Sequence, residues 1–202
     1  MKKILFNDKF ALTQAVLDGR KTQTRRIAYD FRKHVSNKVD KCVLLGGNNI
    51  TYMDGDVQVL DELVKPQYHV GEVVAVAQSY KDCGNYHVPR EDTGWNNKMF
   101  VKSILMPHRI RITDVRVERL QDISEDDCLA EGVVEENIYG DPEPQMYEKT
   151  EYRVYYYNRG RYCALVGNTP REAYAALIDK ISGKGTFESN PYVFAYTFEL
   201  VK

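Results

Sequence analysis

Between Gly19 and Arg26 the chain reads Gly-Arg-Lys-Thr-Gln-Thr-Arg-Arg, which places four cations and two hydroxyls within eight residues. Arg25 and Arg26 carry permanently charged, forked donors that suit phosphate or carboxylate, whereas Lys21 is a cation whose proton affinity falls when like charges crowd it. Such a cluster looks for an anion. The plainer alternative is a solvated basic turn that closes the dipole of a preceding helix. Gly19 serves either purpose, because it can take the left-handed backbone of a helix C-cap.

Several elements must position this turn. Lys3 to Phe6 reads as a first strand, and Asn7 or Asp8 then caps a helix running to Asp18 with Leu12, Ala15 and Val16 on one face. Thr22 to Ile27 reads as a strand in which Thr22, Thr24 and Arg26 point one way and Gln23 and Arg25 the other. Residues 28–68 lack periodicity and hold turn signals at Gly46-Gly47-Asn48-Asn49 and Asp54-Gly55, as expected of an insertion carrying a small hairpin. Val70 to Ala77 is a continuous apolar run, expected as a strand buried on both faces.

Residues 81–99 form a polar loop around the sole tryptophan, Trp95, and Phe100 to Ile104 begins another strand. From Arg109 the apolar phase is Ile110 and Ile112, then Val115 and Val117. That slip at Thr113-Asp114 predicts a β-bulge. Ser124 caps a short helix with acids in its first turn, and Gly132 ends it. Glu135 to Thr150 is acidic, is broken by Pro142 and Pro144, and reads as a loop.

Glu151 to Tyr157 is a tyrosine-rich strand that turns at Arg159-Gly160-Arg161. Thr169-Pro170-Arg171-Glu172 is a capping box that opens the clearest helix, with Tyr174, Leu177, Ile178 and Ile181 on one face and Gly183 at its end. Tyr192 to Val201 alternates as a final strand. Short strands with about three helices predict an α+β fold, a small bent β-barrel with helices packed around it.

At 202 residues the chain is expected to be a single domain, 1–202, with insertions at 28–68 and 135–168. Its 43% hydrophobic and 28% charged residues exclude a disordered or fibrous chain, and a net charge of −1 excludes general adhesion to nucleic acid. Four scattered cysteines without a C-x-x-C pair read as reduced thiols, and no stretch has the apolar length of a signal or a membrane span. A cytoplasmic protein without membrane contact is expected. No metal is expected either, because Cys83 and His87 sit in a loop and His34, His69 and His108 are isolated. No phosphate-binding loop or dinucleotide fingerprint occurs, so no cofactor is expected.

The run from Leu17 to Arg26 resembles the Gly-x-Lys-Thr-x-Thr-x-Arg signature of the ASCH family, a branch of the PUA-like barrels. Val70-Gly71-Glu72-Val73-Val74, the stretch Arg111 to Leu120, and Gly183-Lys184-Gly185 with Asn190-Pro191 resemble the phage and bacterial form of that family in the same order. The resemblance implies a PUA-like barrel with a cleft beside the Lys-Thr strand, and ligands among RNA, modified nucleosides and nucleotides. Some members deacetylate N4-acetylcytidine with Lys, Thr and Glu. Carried over by position, Lys21 would activate the Thr24 hydroxyl for attack on an acyl carbonyl, and Glu131 would hand a proton to the leaving amine, with Glu135 and Glu136 as alternatives. Lys21 must then belong to the turn before the strand, since a regular strand would set it opposite Thr24. Where many phage-type relatives hold Arg-Glu after the buried strand, this chain has Ala77-Gln78, and Gln78 can hydrogen-bond a base but is neither acid nor base.

Three functions are therefore in view. The first is binding of RNA or a modified nucleoside in a basic cleft, with Lys21, Arg25 and Arg26 toward phosphate, Thr24, Gln78 or a tyrosine such as Tyr156 toward the base, and Arg20 and Thr22 also among the binding residues. The second is hydrolysis of an N4-acylated cytosine through Lys21, Thr24 and Glu131. The third is a phage or mobile-element accessory role, with the insertions docking a protein partner. The run Tyr152-Arg153 and Tyr155 to Tyr162 interleaves aromatics and cations, as a stacking surface or as structural tyrosines of a half-buried strand.

Overall fold

A computed structural model describes residues 1–28, 41–45, 49–54, 57–58, 65–84, 87–139 and 148–201. In chain order the elements are β1 (Lys3–Ile4), α1 (Leu12–Leu17), β2 (Gln23–Ile27), β3 (Lys41–Leu45), β4 (Asn49–Asp54), β5 (Val57–Gln58), β6 (Val73–Val76) and β7 (Arg109–Arg119). Then follow α2 (Glu125–Ala130), β8 (Val134–Tyr139), β9 (Glu148–Asn158), β10 (Arg161–Gly167), α3 (Pro170–Ser182) and β11 (Tyr192–Val201). The fold is α+β.

The main sheet has the order β1-β6-β7-β11-β2, with β1 parallel to β6 and the other pairs antiparallel. β6 lies inside it, and Val74, Ala75 and Val76 are wholly buried, as their unbroken apolar run predicts. In the long β7–β11 ladder Asp114 faces Thr197 while Ile112 faces Phe198, so Thr113 is the extra residue of the expected bulge. The strand bends there. β1 and β2 are the two edges of the sheet, and among the described residues they do not pair, so the sheet does not close into a barrel. A side chain bridges the gap instead, because the Arg26 Nη2 on β2 donates to the Leu5 carbonyl just past β1.

Two further sheets lie in the expected insertions. β3, β4 and β5 form one, which is the hairpin predicted within 28–68 plus a short third strand, although Gly46 to Asn48 and Gly55 lie outside the described residues. β10, β9 and β8 form the other. The loop expected over 135–150 is corrected at its two ends, which lie in β8 and at the start of β9, while residues 140–147, Pro142 and Pro144 among them, lie outside the described residues. Acidity misled there. Glu136 is held by Arg153 Nη1 at 3.4 Å and by the Tyr155 hydroxyl at 2.5 Å, so its charge is answered across the ladder.

Two other expectations are corrected. The helix from Asn7 to Asp18 is broken at Ala11, whose φ of 52° separates a 3-10 turn (Asp8–Phe10) from α1. The break drives Phe10 into the core, where its ring meets Tyr156 at 5.5 Å. Phe100 to Ile104 is not a strand. Its ends are exposed and Ser103–Leu105 is a 3-10 turn, while Lys3 Nζ takes the Met99 and Val101 carbonyls at 2.6 and 2.9 Å. Those carbonyls are satisfied without a neighbouring strand.

Helices α2 and α3 begin and end where their caps predict, whereas α1 starts from Ala11 without a side-chain cap. Thr169 Oγ1 accepts from the Glu172 amide at 3.2 Å, and Glu172 Oε2 accepts from Asn168, one residue earlier than a capping box would reach. Ser124 Oγ accepts from the Asp127 amide at 3.1 Å at the head of α2. Gly132, at φ 105°, leaves α2 by a path that a side chain would strain. No helix among the described residues is long and apolar enough to cross a membrane.

Candidate active site

The basic turn is stitched into place through its backbone. Gly19, at φ 75°, donates to the Val16 carbonyl at the end of α1, and Lys21 N–H donates to Ala15 at 2.9 Å. Thr22 N–H then donates to Ala130 on α2, and its carbonyl accepts from Phe198 on β11, each at 2.9 Å. Gly19 is thus the left-handed residue past the helix end that its position predicts. Lys21 lies before β2, in the turn, and Thr24 can therefore face the same space.

That space is a cavity of about 220 Å3 between the two sheet edges. Phe6 forms one wall, Lys21, Thr24 and Arg26 a second, and Leu177 and Ile181 of α3 a third, with Glu131 at the inner end. Lys21 is 2% exposed, and its Nζ donates to Glu131 Oε2 at 2.5 Å and to the Glu131 carbonyl at 2.8 Å. Two of its three N–H groups are used. Gly132 packs on the lysine stem, since a Cβ there would stand 3.8 Å from Lys21 Cδ and 3.3 Å from Leu12 Cδ2. Burial lowers the Lys21 proton affinity below the ordinary lysine value, Glu131 opposes that shift, and Arg26 and Arg25 reinforce it.

Arg25 meets a different fate. Its side chain is wholly buried and its guanidinium is divided among Glu118 Oε1 at 2.7 Å, Asp127 Oδ2 at 2.6 Å, Glu131 Oε1 at 3.3 Å and Gln23 Oε1 at 3.2 Å. Burial alone would lower its proton affinity, but Glu131 and the other carboxylates outweigh that and raise it. Asp127 also accepts from Gln23 Nε2 at 2.7 Å and Arg116 Nη2 at 3.1 Å. Although it is partly desolvated, those hydrogen bonds and the Arg25 charge hold its carboxyl below the ordinary value.

Of the residues predicted from sequence, Lys21, Thr24, Arg25, Arg26 and Glu131 are brought together. Glu131 rather than Glu135 or Glu136 is the carboxylate at Lys21, since those two lie on β8, where Glu136 pairs with Arg153. Arg25, expected toward phosphate, is buried and paired with Glu118, Asp127 and Glu131. Arg20 is exposed and paired with Asp18 at 3.1 Å, and Thr22 contributes backbone only. Gln78 lines a separate cleft with Asp82 and His108, and Tyr156 packs on Phe10, so neither reaches the cavity. Among the described residues no group of three or more His, Cys, Asp or Glu could hold a metal. The Cys128 thiol is pushed up to about 12 by burial, as befits a packed thiol.

Glu118 and Asp127 were not foreseen as parts of the site. Ladder pairing sets Arg25, Ala195 and Arg116 in one row, which brings Glu118, two residues along on the same face of β7, to the guanidinium. That signal needs the strand order. Asp127 reads from sequence as an acid favouring the head of α2, and it does this while facing Arg25. Tyr174 on α3 was foreseen only as core. Its hydroxyl is buried without a hydrogen-bond partner, and burial with the nearby Glu131 charge keeps the phenol protonated.

No protein-family model, curated protein or solved structure matches the chain, so the site stands on its own geometry.

Proposed function

We propose that the cavity hydrolyses an amide carried by a small nitrogen heterocycle of the N4-acylcytosine type. The supporting observation is the buried Lys21–Glu131 pair, 2.5 Å apart, on the wall of a cavity that also carries Thr24. A cavity of about 220 Å3 is smaller than the roughly 300–1,000 Å3 of drug-sized sites, and suits a single base rather than a strand of RNA. Its cations are also largely answered, because Arg25 is closed by three carboxylates and Arg26 is tied to Leu5. A salt-sensitive phosphate cleft would need them open.

In this mechanism Lys21, its proton affinity lowered by burial, starts as the neutral amine beside the Glu131 carboxylate. Thr24 Oγ1 loses its proton to Lys21 Nζ as it attacks the acyl carbonyl, the C–N bond breaks, and the pair returns a proton to the leaving amine. Water then loses a proton to the same lysine as it attacks the threonine ester, the bond from Thr24 Oγ1 to the acyl carbon breaks, and the pair returns that proton to Oγ1 as the acid leaves. Phe6 supplies a flat apolar wall, with Lys21 Nζ and Arg26 Cζ each 5.9 Å from its ring centre. That wall suits a planar base. The ASCH-like, PUA-like ancestry belongs to the same proposal, with the bent sheet and the cleft between its β1 and β2 edges as support.

Binding of the same base without turnover is the second reading, favoured by that aromatic wall. Incubation with N4-acetylcytidine separates the two. Release of cytidine and acetate that is lost in Thr24→Val supports hydrolysis. Binding of the nucleoside without product supports the module, and neither binding nor product rejects both.

A further inference from the structure

The tyrosine-rich hairpin β9–β10 is remote in role from the cavity and has two unlike faces. Ladder pairing sends Val154 and Tyr156 inward, where Val154 is buried and Tyr156 meets Phe10. Tyr155 and Tyr157 point the other way, about 7 Å apart along the strand. Tyr162 stands opposite Tyr157 on β10, and their rings meet edge to face at 5.2 Å. Tyr162 is 87% and Tyr157 53% exposed, a large aromatic area for a solvated face.

The two ends of this hairpin differ in charge. Toward β8, Arg153 closes on Glu136 and Glu151, and Tyr155 donates its hydroxyl to Glu136, so those groups are occupied. At the tip, Arg159 and Arg161 are exposed and make no ion pair among the described residues, and Arg161, opposite Asn158, lies on the reverse side of the ladder from Tyr157 and Tyr162. Arg159 holds a left-handed backbone (φ 47°) beside Gly160 (φ 81°), which makes a two-residue hairpin turn. A non-glycine residue at that φ is uncommon. The strained arginine thus sits beside the two most exposed rings of the hairpin.

We infer that the β9–β10 tip binds single-stranded nucleic acid, with bases stacked on Tyr157 and Tyr162 and the backbone passing round the turn so that its phosphates meet Arg159 and Arg161. Charge complementarity selects this occupant, because open aromatic rings flanked by unpaired guanidinium groups match a chain of flat bases joined by anions. A duplex hides its base faces and is excluded from this mode. With two phosphates engaged, the logarithm of the affinity falls with the logarithm of salt by about 1.4, at roughly 0.7 per phosphate for a single strand. This surface does not depend on the cavity's chemistry.

The test is fluorescence anisotropy of labelled twelve-nucleotide oligouridylate, oligothymidylate and a duplex of equal length, at several salt concentrations. The expected result is binding of a single strand in preference to the duplex, and the two oligonucleotides tell RNA from DNA. Tyr162→Ala, at a position that contributes almost nothing to the core, weakens binding by roughly 5- to 150-fold. Arg159→Gly together with Arg161→Ala keeps the turn and flattens the salt slope toward zero. Thr24→Val leaves binding unchanged. Absence of binding at low salt, equal binding of the duplex, or full affinity in Tyr162→Ala overturns the inference.

Discussion

Lys21 and Arg25 are neighbours in sequence, both are buried, and both contact the carboxylate of Glu131, yet they are built for different ends. Arg25 meets three carboxylates and an amide oxygen that together answer every side of its fork. Lys21 hydrogen-bonds to one residue, and its third N–H has no hydrogen-bond partner among the described residues. A saturated cation holds the fold, while a cation with one partner keeps a proton that can move. The difference follows from position: Arg25 lies within β2 on the face covered by α2, whereas Lys21 lies in the turn at the cavity wall.

Replacing the saturated cation is expected to cost most. Arg25→Met leaves Glu118, Asp127 and Glu131 facing one another in a desolvated cluster, and a loss of about 3–5 kcal/mol is expected from the urea midpoint. Lys21→Met leaves Glu131 still paired with Arg25, so a smaller loss of about 1–3 kcal/mol is expected. Equal losses at the two positions would erase the distinction between them. Gly132→Ala, which forces a side chain into φ 105° beside Leu12 and the lysine stem, should cost about 1–2 kcal/mol and disturb Lys21.

Acid sharpens the comparison from the other side. The Asp127 carboxyl is held below its ordinary value of 3.8 in the fold, so its stabilisation is present above that value and is lost as pH falls through the lowered one. Urea midpoints taken between about pH 5 and about pH 2.5 should fall in the native protein and fall less in Asp127→Asn. At Lys21 the sign is reversed for the proposed hydrolysis, which requires the neutral amine. The rate should rise with pH through a value below that of ordinary lysine, and Glu131→Gln should move this limb to lower pH, because the carboxylate supports the charged form. A limb that stays put would remove Glu131 from the proton's path.

Much of this was legible in the chain. Glycine at position 19, the Ser124 and Thr169 caps, the buried run at β6 and the bulge at Thr113 each announce a local geometry that short-range sterics enforce. Lys21, Thr24 and Glu131 could be named through a resemblance. The fate of Arg25 could not, since its partners come from β7 and α2 and are brought to it only by the strand order. Residues 135–150 misled for a related reason: their charges look like a loop until Arg153 and Tyr155 are placed across from them. The α+β class was legible, but the expected barrel is not seen: among the described residues the β1 and β2 edges are joined by Arg26 rather than by a ladder.

The account stands most directly on the Thr24 hydroxyl as nucleophile. Intact-protein mass spectrometry after rapid mixing with N4-acetylcytidine, followed by peptide mapping, tests it. The expected result is a transient gain of one acetyl group on Thr24 that is absent in Thr24→Val, with turnover falling roughly 1,000-fold or more. Hydrolysis that persists in Thr24→Val, or a native protein that neither gains the acetyl group nor releases cytidine, would contradict it.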